Sequence, residues 1–154
     1  MDNVQVLQHQ YSIAKNAESL STNNIWICTG FYGWDSLNKV AFLCHFDHPC
    51  SVKALPNILR KIRKLVPDRH SFEACLIGGK GWFWSRTTRR NINACIQKQS
   101  IINLSVSEAP FQNWITNKVD LTICSKTGKV SFDKVVGRYT PKGVFWCIKP
   151  MQQV

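Results

Sequence analysis

Residues 39–46 have the sequence KVAFLCHF, an almost unbroken apolar run with a single histidine near its end. Apolar runs of this length, without alternating polar residues, are typical of strands that are buried on both faces. We therefore predict a buried central strand at Lys39–Phe46. His45 lies at the end of this strand, where a side chain is able to leave the core and reach a cleft.

The segments around this run show the periodicity of further strands and of two helices. Apolar residues recur every three or four positions in Ser51–Val66, which predicts a helix with Ser51 as its N-cap. A second helix is predicted at Ser85–Gln99 with Ser85 as its N-cap, and residues 1–20 are treated as a lead-in. Asn24–Gly33 is predicted to be a mixed region of strand and turn. Further strands are predicted at Phe72–Ile77, Ile102–Val106 and Gly143–Ile148, and a hairpin at Leu121–Cys124 and Val130–Val135. This order predicts an α/β or α+β fold in a single domain, residues 1–154.

The composition indicates a folded protein with a strong positive field. Hydrophobic residues make up 44% of the 154 residues and charged residues 19%, which excludes an intrinsically disordered chain. No apolar stretch approaches the roughly 20 residues that span a bilayer. Residues 1–10 lack the apolar region of a signal peptide. The net charge of +11 attracts an acidic partner, whether nucleic acid, an anionic membrane or an acidic protein.

The seven cysteines are predicted to be free thiols. Their number is odd, no secretory context is apparent, and most of them lie in apolar surroundings, as Cys75 does. A buried free cysteine behaves as a small hydrophobic residue. This pattern favours a reducing compartment.

Cys28 and His45 have the chemistry of a nucleophile and its base. Attack on an amide carbon requires a thiolate, and a neighbouring imidazole accepts the thiol proton and holds the resulting ion pair. The imidazole later protonates the leaving ammonia and activates water. Backbone N–H groups of the turn that follows Cys28 are candidates for an oxyanion hole. Spacing alone does not distinguish this pair from a buried thiol and a surface histidine.

A longer pattern contains Cys28 and His45. Its residues, in order, are Thr22, Cys28 six positions later, His45 seventeen positions after that, and Pro49 four positions after His45. This pattern resembles the chemoreceptor glutamine deamidase CheD. Residues 76–79, Leu-Ile-Gly-Gly, resemble the strand of that family that ends in Gly-Gly. Arg90-Asn91 resembles the family's Arg-Asn at the opening of the next helix. The resemblance extends from Thr22 to about Val130 and so covers most of the chain.

The resemblance implies a fold and a mechanism. The same Thr/Cys/His hydrolase superfamily includes the cytotoxic necrotising factors and the Burkholderia lethal factor, toxins that deamidate a glutamine of a host protein. The implied fold is a mixed two-sheet β-sandwich flanked by helices. The implied roles are Cys28 as nucleophile, His45 as base and Thr22 as the group that orients the imidazole. Substrate contacts are assigned to Trp26, Gly30, Gly78 and Gly79, and neither a metal nor a cofactor is expected.

Two departures from the family pattern bear on the biological role. Trp26-Ile27 stands where the family has Gly-Ser before its cysteine, and Pro110–Val119 lacks the family's Gly-Gly-x-x-Gly-Arg. These departures favour a toxin or secreted effector over a chemotaxis role. The expected partner is a target protein that carries the glutamine, and the chain is expected to be a monomer. Its expected location is the bacterial cytoplasm before export and the cytosol of a host cell afterwards.

Other interpretations of the same residues stay open. Cys44, His45, His48 and Cys50 are zinc-ligand types, but their spacing matches no common zinc motif. Residues 78–81, Gly-Gly-Lys-Gly, lack the phosphate-loop pattern and are interpreted as a turn. A transglutaminase, in which an amine replaces water, would use the same nucleophile and base.

Basic clusters on both predicted helices suggest a binding module for nucleic acid or an anionic surface. The first helix carries Arg60, Lys61, Arg63 and Lys64, and the second opens with Arg86, Arg89 and Arg90 close to Trp82, Phe83 and Trp84. Such a surface attracts phosphates and stacks bases. A solvated helix face or a protein-docking surface is favoured, because no recognised nucleic-acid fold motif is present.

Overall fold

Two β-sheets and two α-helices make up this computed structural model, which describes residues 2–16, 18–66, 71–79, 83–109, 117–136 and 150–154. The small sheet has the strand order β1 (Asn3–Gln5), β3 (Ser19–Ile25), β8 (Asn117–Cys124), β9 (Val130–Val136). The large sheet has the order β10 (Gln152–Gln153), β2 (Gln10–Lys15), β5 (Val40–Phe46), β4 (Thr29–Asp35), β6 (Ser71–Gly78), β7 (Asn103–Glu108). A 3₁₀-helix at Pro49–Ala54 leads into α1 (Leu55–Leu65), and α2 (Phe83–Lys98) lies between β6 and β7 in the chain.

Both sheets are mixed. The pairs β1–β3, β10–β2 and β6–β7 are parallel, and the other neighbouring strands run antiparallel. The predicted architecture, an α+β fold with two mixed sheets flanked by helices, is confirmed.

Strand β5 is buried along its whole length because both faces of the large sheet are covered. On one face, Phe42 and Cys44 belong to an apolar cluster that includes Leu59 and Ile62 of α1. On the other face, Leu43 belongs to a cluster that includes Leu121 and other residues of the small sheet. Each large apolar side chain buried in this way contributes roughly 1.5–3 kcal/mol. Side chains alternate along a strand, so His45 continues the series of Leu43 and points toward the small sheet.

Both helices begin at positions that differ from the prediction. The first helical segment starts at Pro49, and its N-cap is His48, whose Nδ1 accepts a hydrogen bond from Cys50 N at 3.2 Å. Ser51 is therefore not the cap, because the fixed φ of Pro49 starts the first turn two residues earlier. Helix α2 starts at Phe83, so Ser85 lies inside it, and Arg90-Asn91 lies in its middle rather than at its opening.

Most of the predicted strands are confirmed. Strands β5, β6 and β7 and the β8–β9 hairpin lie where the periodicity placed them. The prediction of a lead-in at residues 1–20 is wrong. This segment contains β1, β2 and the start of β3, and β2 pairs with β5. The predicted segment Asn24–Gly33 spans the end of β3, a turn at residues 26–28 and most of β4. The strand predicted at Gly143–Ile148 lies outside the described residues.

The cysteines do not all have free thiols. Cys28, Cys44, Cys75, Cys95 and Cys124 are free, whereas Cys50 is bonded in a disulfide. The prediction of free thiols throughout is therefore wrong at Cys50. It relied on the odd number of cysteines, which rules out complete pairing but not a single disulfide. None of the helices in the described ranges combines the length and the apolar character that a membrane crossing requires.

Candidate functional site

The His45 imidazole connects the two sheets. Thr22 of β3, in the small sheet, places Oγ1 2.7 Å from Nδ1 of His45, in the large sheet. Both residues are buried, with 0% and 2% of their surface exposed. The contact that the resemblance implied between Thr22 and the imidazole is present. If Nδ1 donates its hydrogen to Thr22 Oγ1, Nε2 is left as the acceptor that a general base needs.

The second ring nitrogen of His45 is buried without a hydrogen-bond partner among the described residues. A buried polar atom left in this state costs about 1–3 kcal/mol. Such atoms are rare in folded proteins, and a catalytic role is one of the recognised reasons for them. Nε2 is therefore a buried ring nitrogen without a partner in the described ranges, and it is an acceptor when Nδ1 carries the ring hydrogen.

Cys28 lies in the turn at residues 26–28, which we call the Cys28 loop. This loop leads directly into β4, whose first two residues pair with Phe46 and His45 of β5. Cys28 thus lies at the same end of the large sheet as His45, and only 2% of its surface is exposed. The expected hydrogen bond between thiol and imidazole is not formed, because Nε2 has no partner in the described part of the chain.

The Cys28 loop is held through its backbone carbonyl groups. Gly79 N donates to Trp26 O at 3.4 Å, and Ser85 Oγ of α2 donates to Ile27 O at 2.6 Å. Gly78 has φ +77°, and a Cβ at this position would lie 2.5 Å from Cys28 O. Glycine is needed there both for the left-handed backbone and for the close approach to the loop. The Gly-Gly pair that the sequence pattern singled out therefore supports the loop that carries the thiol.

The residues assigned to substrate contacts occupy different environments. Gly78 and Gly79 touch the Cys28 loop, and Trp26, which is half-buried, is part of it. Gly30 is buried opposite His45 in the β4–β5 register. A Cβ there would come within 2.8 Å of both the Ile25 and the Ile77 side chains. Gly30 thus makes room for packing between the two sheets.

A buried carboxylate, which the sequence pattern did not indicate, lies beside the site. Asp47 Oδ1 lies 2.9 Å from His9 Nδ1, both residues are buried, and Oδ2 has no hydrogen-bond partner within the described ranges. The charge of Asp47 acts on both Cys28 and His45. Its position two residues after His45 was the available signal, since alternate residues of a strand share a face. His9 gave no signal because its segment was treated as a lead-in.

Burial keeps both reactive groups neutral in the resting protein. Desolvation, and secondarily the charge of Asp47, raise the pKa of the Cys28 thiol to about 12. Desolvation lowers the pKa of the His45 imidazole to about 4, against an opposing effect of Asp47. The expected thiolate–imidazolium pair is therefore not the resting state. The sequence pattern identified the two groups but gave no measure of how deeply each is buried.

The predicted basic surfaces are partly engaged in internal contacts. On α1, Lys61 Nζ donates to Tyr11 Oη at 2.8 Å, and Arg63 donates to Val66 O, which leaves Arg60 and Lys64 exposed. On α2, Arg89 Nε donates to Gly78 O at 2.8 Å. The Arg89 guanidinium also forms a bidentate ion pair with the Glu108 carboxylate. The side chains of Trp82, Phe83 and Trp84 and the segment 80–81 lie outside what the structure describes.

The zinc hypothesis gains no support from the geometry. Within the described ranges, no three His, Cys, Asp or Glu side chains are grouped as metal ligands would be. Cys44 and His45 point to opposite faces of β5, as their adjacent positions on one strand require.

Comparison with known proteins gives no family assignment. No protein-family model matches the chain, and no curated protein gives a significant match. The resemblance to CheD therefore rests on the residue pattern itself.

Proposed function

We propose that this protein is a cysteine hydrolase that deamidates a glutamine side chain of a target protein, with Cys28 as nucleophile, His45 as base and Thr22 as the orienting group. One observation carries the proposal. A neutral imidazole is fixed through Nδ1 by Thr22, while its Nε2 is buried with no partner in the described part of the chain, at the end of the sheet where the free Cys28 thiol lies.

The reaction proceeds in two halves. His45 Nε2 takes the thiol proton as Cys28 Sγ attacks the carboxamide carbon, which gives a tetrahedral intermediate. The C–N bond then breaks, the imidazolium returns the proton to the leaving ammonia, and a glutamyl thioester remains on Cys28. In the second half, His45 deprotonates a water molecule that attacks the thioester. The C–S bond breaks, the proton passes to Cys28 Sγ, and the glutamate is released.

The resting site has to open before this chemistry starts. Only 2% of the Cys28 surface is exposed, so the glutamine must displace part of the Cys28 loop. Because burial raises the pKa of the thiol and lowers that of the imidazole, proton transfer between them is uphill in the closed site. Solvent and a polar carboxamide reduce the desolvation of both groups, which lowers the pKa of the thiol and raises that of the imidazole. Catalysis is therefore coupled to target binding.

A toxin or secreted effector is the role that this chemistry fits best. The departures at Trp26-Ile27 and at Pro110–Val119 separate the chain from receptor recognition in chemotaxis. The Cys50 disulfide supports passage through an oxidising compartment on the way to the target. The net charge of +11 favours encounter with an acidic target.

Mass spectrometry of a eukaryotic cell lysate tests the proposal. Incubation with the wild-type protein is expected to convert specific glutamines to glutamate, and Cys28→Ala is expected to abolish the conversion. Cys124→Ala is the matched control and should keep full activity, because Cys124 ends β8 and pairs with Ser19, three residues before Thr22 on β3. Conversion that persists with Cys28→Ala would refute the proposal.

Two other functions would give different experimental results with the same protein and lysate. A transglutaminase would incorporate a labelled primary amine at the glutamine instead of producing glutamate. A binding module for nucleic acid or an anionic surface would bind in a salt-dependent manner that Cys28→Ala leaves unchanged, without modifying any glutamine.

A further inference from the structure

A groove with a volume of about 650 Å³ runs along α2 beside the candidate site. The groove is lined by residues that include Gly79, Arg86, Arg90, Asn93 and Gln97, and we call it the arginine groove. The four α2 residues are spaced by four, three and four positions and so share one face of the helix. At 1.5 Å per residue, they extend over about 16 Å, the length of roughly five residues of extended peptide.

Two arginines of the groove have no internal partner in the described ranges. Arg89 is engaged by Gly78 O and Glu108, but Arg86 and Arg90 are exposed, and no described residue forms a hydrogen bond or an ion pair with the guanidinium group of either. Like charges four positions apart on a helix destabilise it by a few tenths of a kcal/mol. The groove therefore presents two guanidinium groups that an anionic ligand would stabilise.

The arginine groove adjoins the loop that carries the nucleophile. Gly79 lines the groove, and its N–H donates to Trp26 O of the Cys28 loop. Arg89, which also lines the groove, holds Gly78 O, and Gly78 packs against Cys28 O. A ligand in the groove consequently lies next to the Gly-Gly segment that supports the loop.

We infer that the arginine groove binds an acidic segment of the target polypeptide close to the glutamine that is deamidated. This inference rests on the proposed function. Carboxylates of the segment pair with Arg86 and Arg90, whose planar guanidinium groups bind a carboxylate through two parallel hydrogen bonds. The amides of Asn93 and Gln97 each offer a donor and an acceptor, as the backbone of an extended peptide requires. A peptide is favoured because the groove combines guanidinium groups for carboxylates with side-chain amides that match a peptide backbone.

Fluorescence anisotropy with a defined probe tests the inference. The probe is a fluorescein-labelled peptide with one glutamine between two runs of glutamate, and its counterpart has lysine in place of glutamate. The wild-type protein is expected to bind the glutamate peptide and not the lysine peptide. The double variant Arg86→Glu/Arg90→Glu should weaken binding by about tenfold or more, because each pairing becomes a repulsion.

The matched control is Arg60→Glu/Lys64→Glu on the exposed face of α1, which changes the net charge by the same amount. It should weaken binding by less than about twofold, since long-range charge effects are largely screened at physiological salt. Equal weakening by both double variants would overturn the inference. So would tighter binding of a single-stranded oligonucleotide than of the acidic peptide.

The anisotropy experiment measures binding and not turnover. The groove proposal and the deamidase proposal can therefore each be contradicted without the other. Glutamine conversion that depends on Cys28, together with acidic-peptide binding that Arg86→Glu/Arg90→Glu leaves unchanged, would overturn the groove and leave the deamidase. Selective loss of binding, with no conversion of any glutamine by the wild type, would support the groove as an acidic-peptide site and overturn the deamidase.

Discussion

Burial of Cys28 and His45 sets the protonation state of both reactive residues. A thiol with a pKa of about 12 and an imidazole with a pKa of about 4 are both neutral at physiological pH. A neutral resting pair protects the thiol from oxidation and alkylation until a target arrives, because the thiolate is the reactive form.

The order in which the cysteines are alkylated tests this neutral state. At pH 8 without a target, iodoacetamide should label Cys124 first, because a hydrogen bond from Thr127 lowers the pKa of its thiol. Cys28 and Cys44 should react more than about a hundredfold more slowly, because both are buried and burial raises the pKa of each. Peptide mapping measures the rates, and labelling in urea is the control in which all free thiols become equivalent. Labelling of Cys28 as fast as Cys124 would reveal a preformed thiolate.

The pH dependence of stability reports on His45. Its pKa falls from 6.5 in the unfolded chain to about 4 in the fold, so the unfolded chain binds more protons between these values. The contribution of the neutral His45 imidazole to the free energy of unfolding is fully present above pH 6.5. As the pH falls toward 4, this contribution decreases by about 3 kcal/mol. Urea unfolding from pH 4 to pH 7.5 should show this loss in the wild type and not in His45→Gln. Parallel curves for the two proteins would contradict the buried neutral imidazole.

The sequence pattern identified part of the site at the residue level. Thr22, Cys28 and His45 were singled out by the resemblance to CheD, and the Thr22–His45 contact that the resemblance implied is present. Asp47 and His9 were missed, because their contact joins residues 38 positions apart and depends on how β2 and β5 pair. Spacing along the chain carries no information about such a pairing.

At the level of elements, α2 holds the Cys28 loop through Ser85. Ser85→Ala removes the hydrogen bond to Ile27 O, and the free energy of unfolding should fall by about 1 kcal/mol. The loosened loop should also expose Cys28, so iodoacetamide should label it several-fold faster than in the wild type. Ser105→Ala, at an exposed position of β7, is the control and should change neither quantity. An unchanged labelling rate in Ser85→Ala would show that α2 does not hold the loop.

Strand β3 contributes Thr22, to which we assign the orientation of the proposed base His45. Thr22→Val removes the hydroxyl partner of His45 Nδ1 while keeping the shape of the side chain. Deamidation should fall by about one to two orders of magnitude, less than with Cys28→Ala, because only the orientation of the ring is lost. Ser21→Ala is the control on the same strand, since Ser21 Oγ bonds to Gln5 Oε1 at 3.1 Å and not to His45. Equal losses in the two variants would contradict an orienting role.

Elements whose sequences show a strong hydrophobic pattern were predictable, whereas elements with a weak hydrophobic pattern were not. The unbroken apolar run of β5 and the periodicity of α1 left little ambiguity, because both reflect complete burial of a face. Strand β2 was missed because Tyr11, Ser12 and Ala14 are all buried, on both of its faces, which removes the polar alternation. Ser51 was misplaced as an N-cap because Pro49 starts the first turn and His48 caps it. Ser85 was misplaced because its hydroxyl donates to Ile27 O, a contact 58 positions away that residue type alone does not reveal.

For the whole molecule, the site forms only when three layers come together. The small sheet supplies Thr22, the large sheet supplies His45 and the strand that follows Cys28, and the helical layer supplies Ser85. These contacts span up to 58 positions along the chain. The sandwich itself was implied by the resemblance, but the arginine groove was not, because it depends on which arginines of α2 are already paired.

Acid-quenched mass spectrometry of the protein with the target from the lysate experiment tests the central claim most directly. Quenching during turnover should trap the glutamyl thioester, and digestion should yield the peptide containing Cys28 joined to the peptide containing the target glutamine. The linked pair should be absent with Cys28→Ala and should disappear after mild treatment with hydroxylamine, which cleaves thioesters. Continued conversion of that glutamine while the Cys28 peptide stays unmodified and Cys28→Ala stays active would contradict the account.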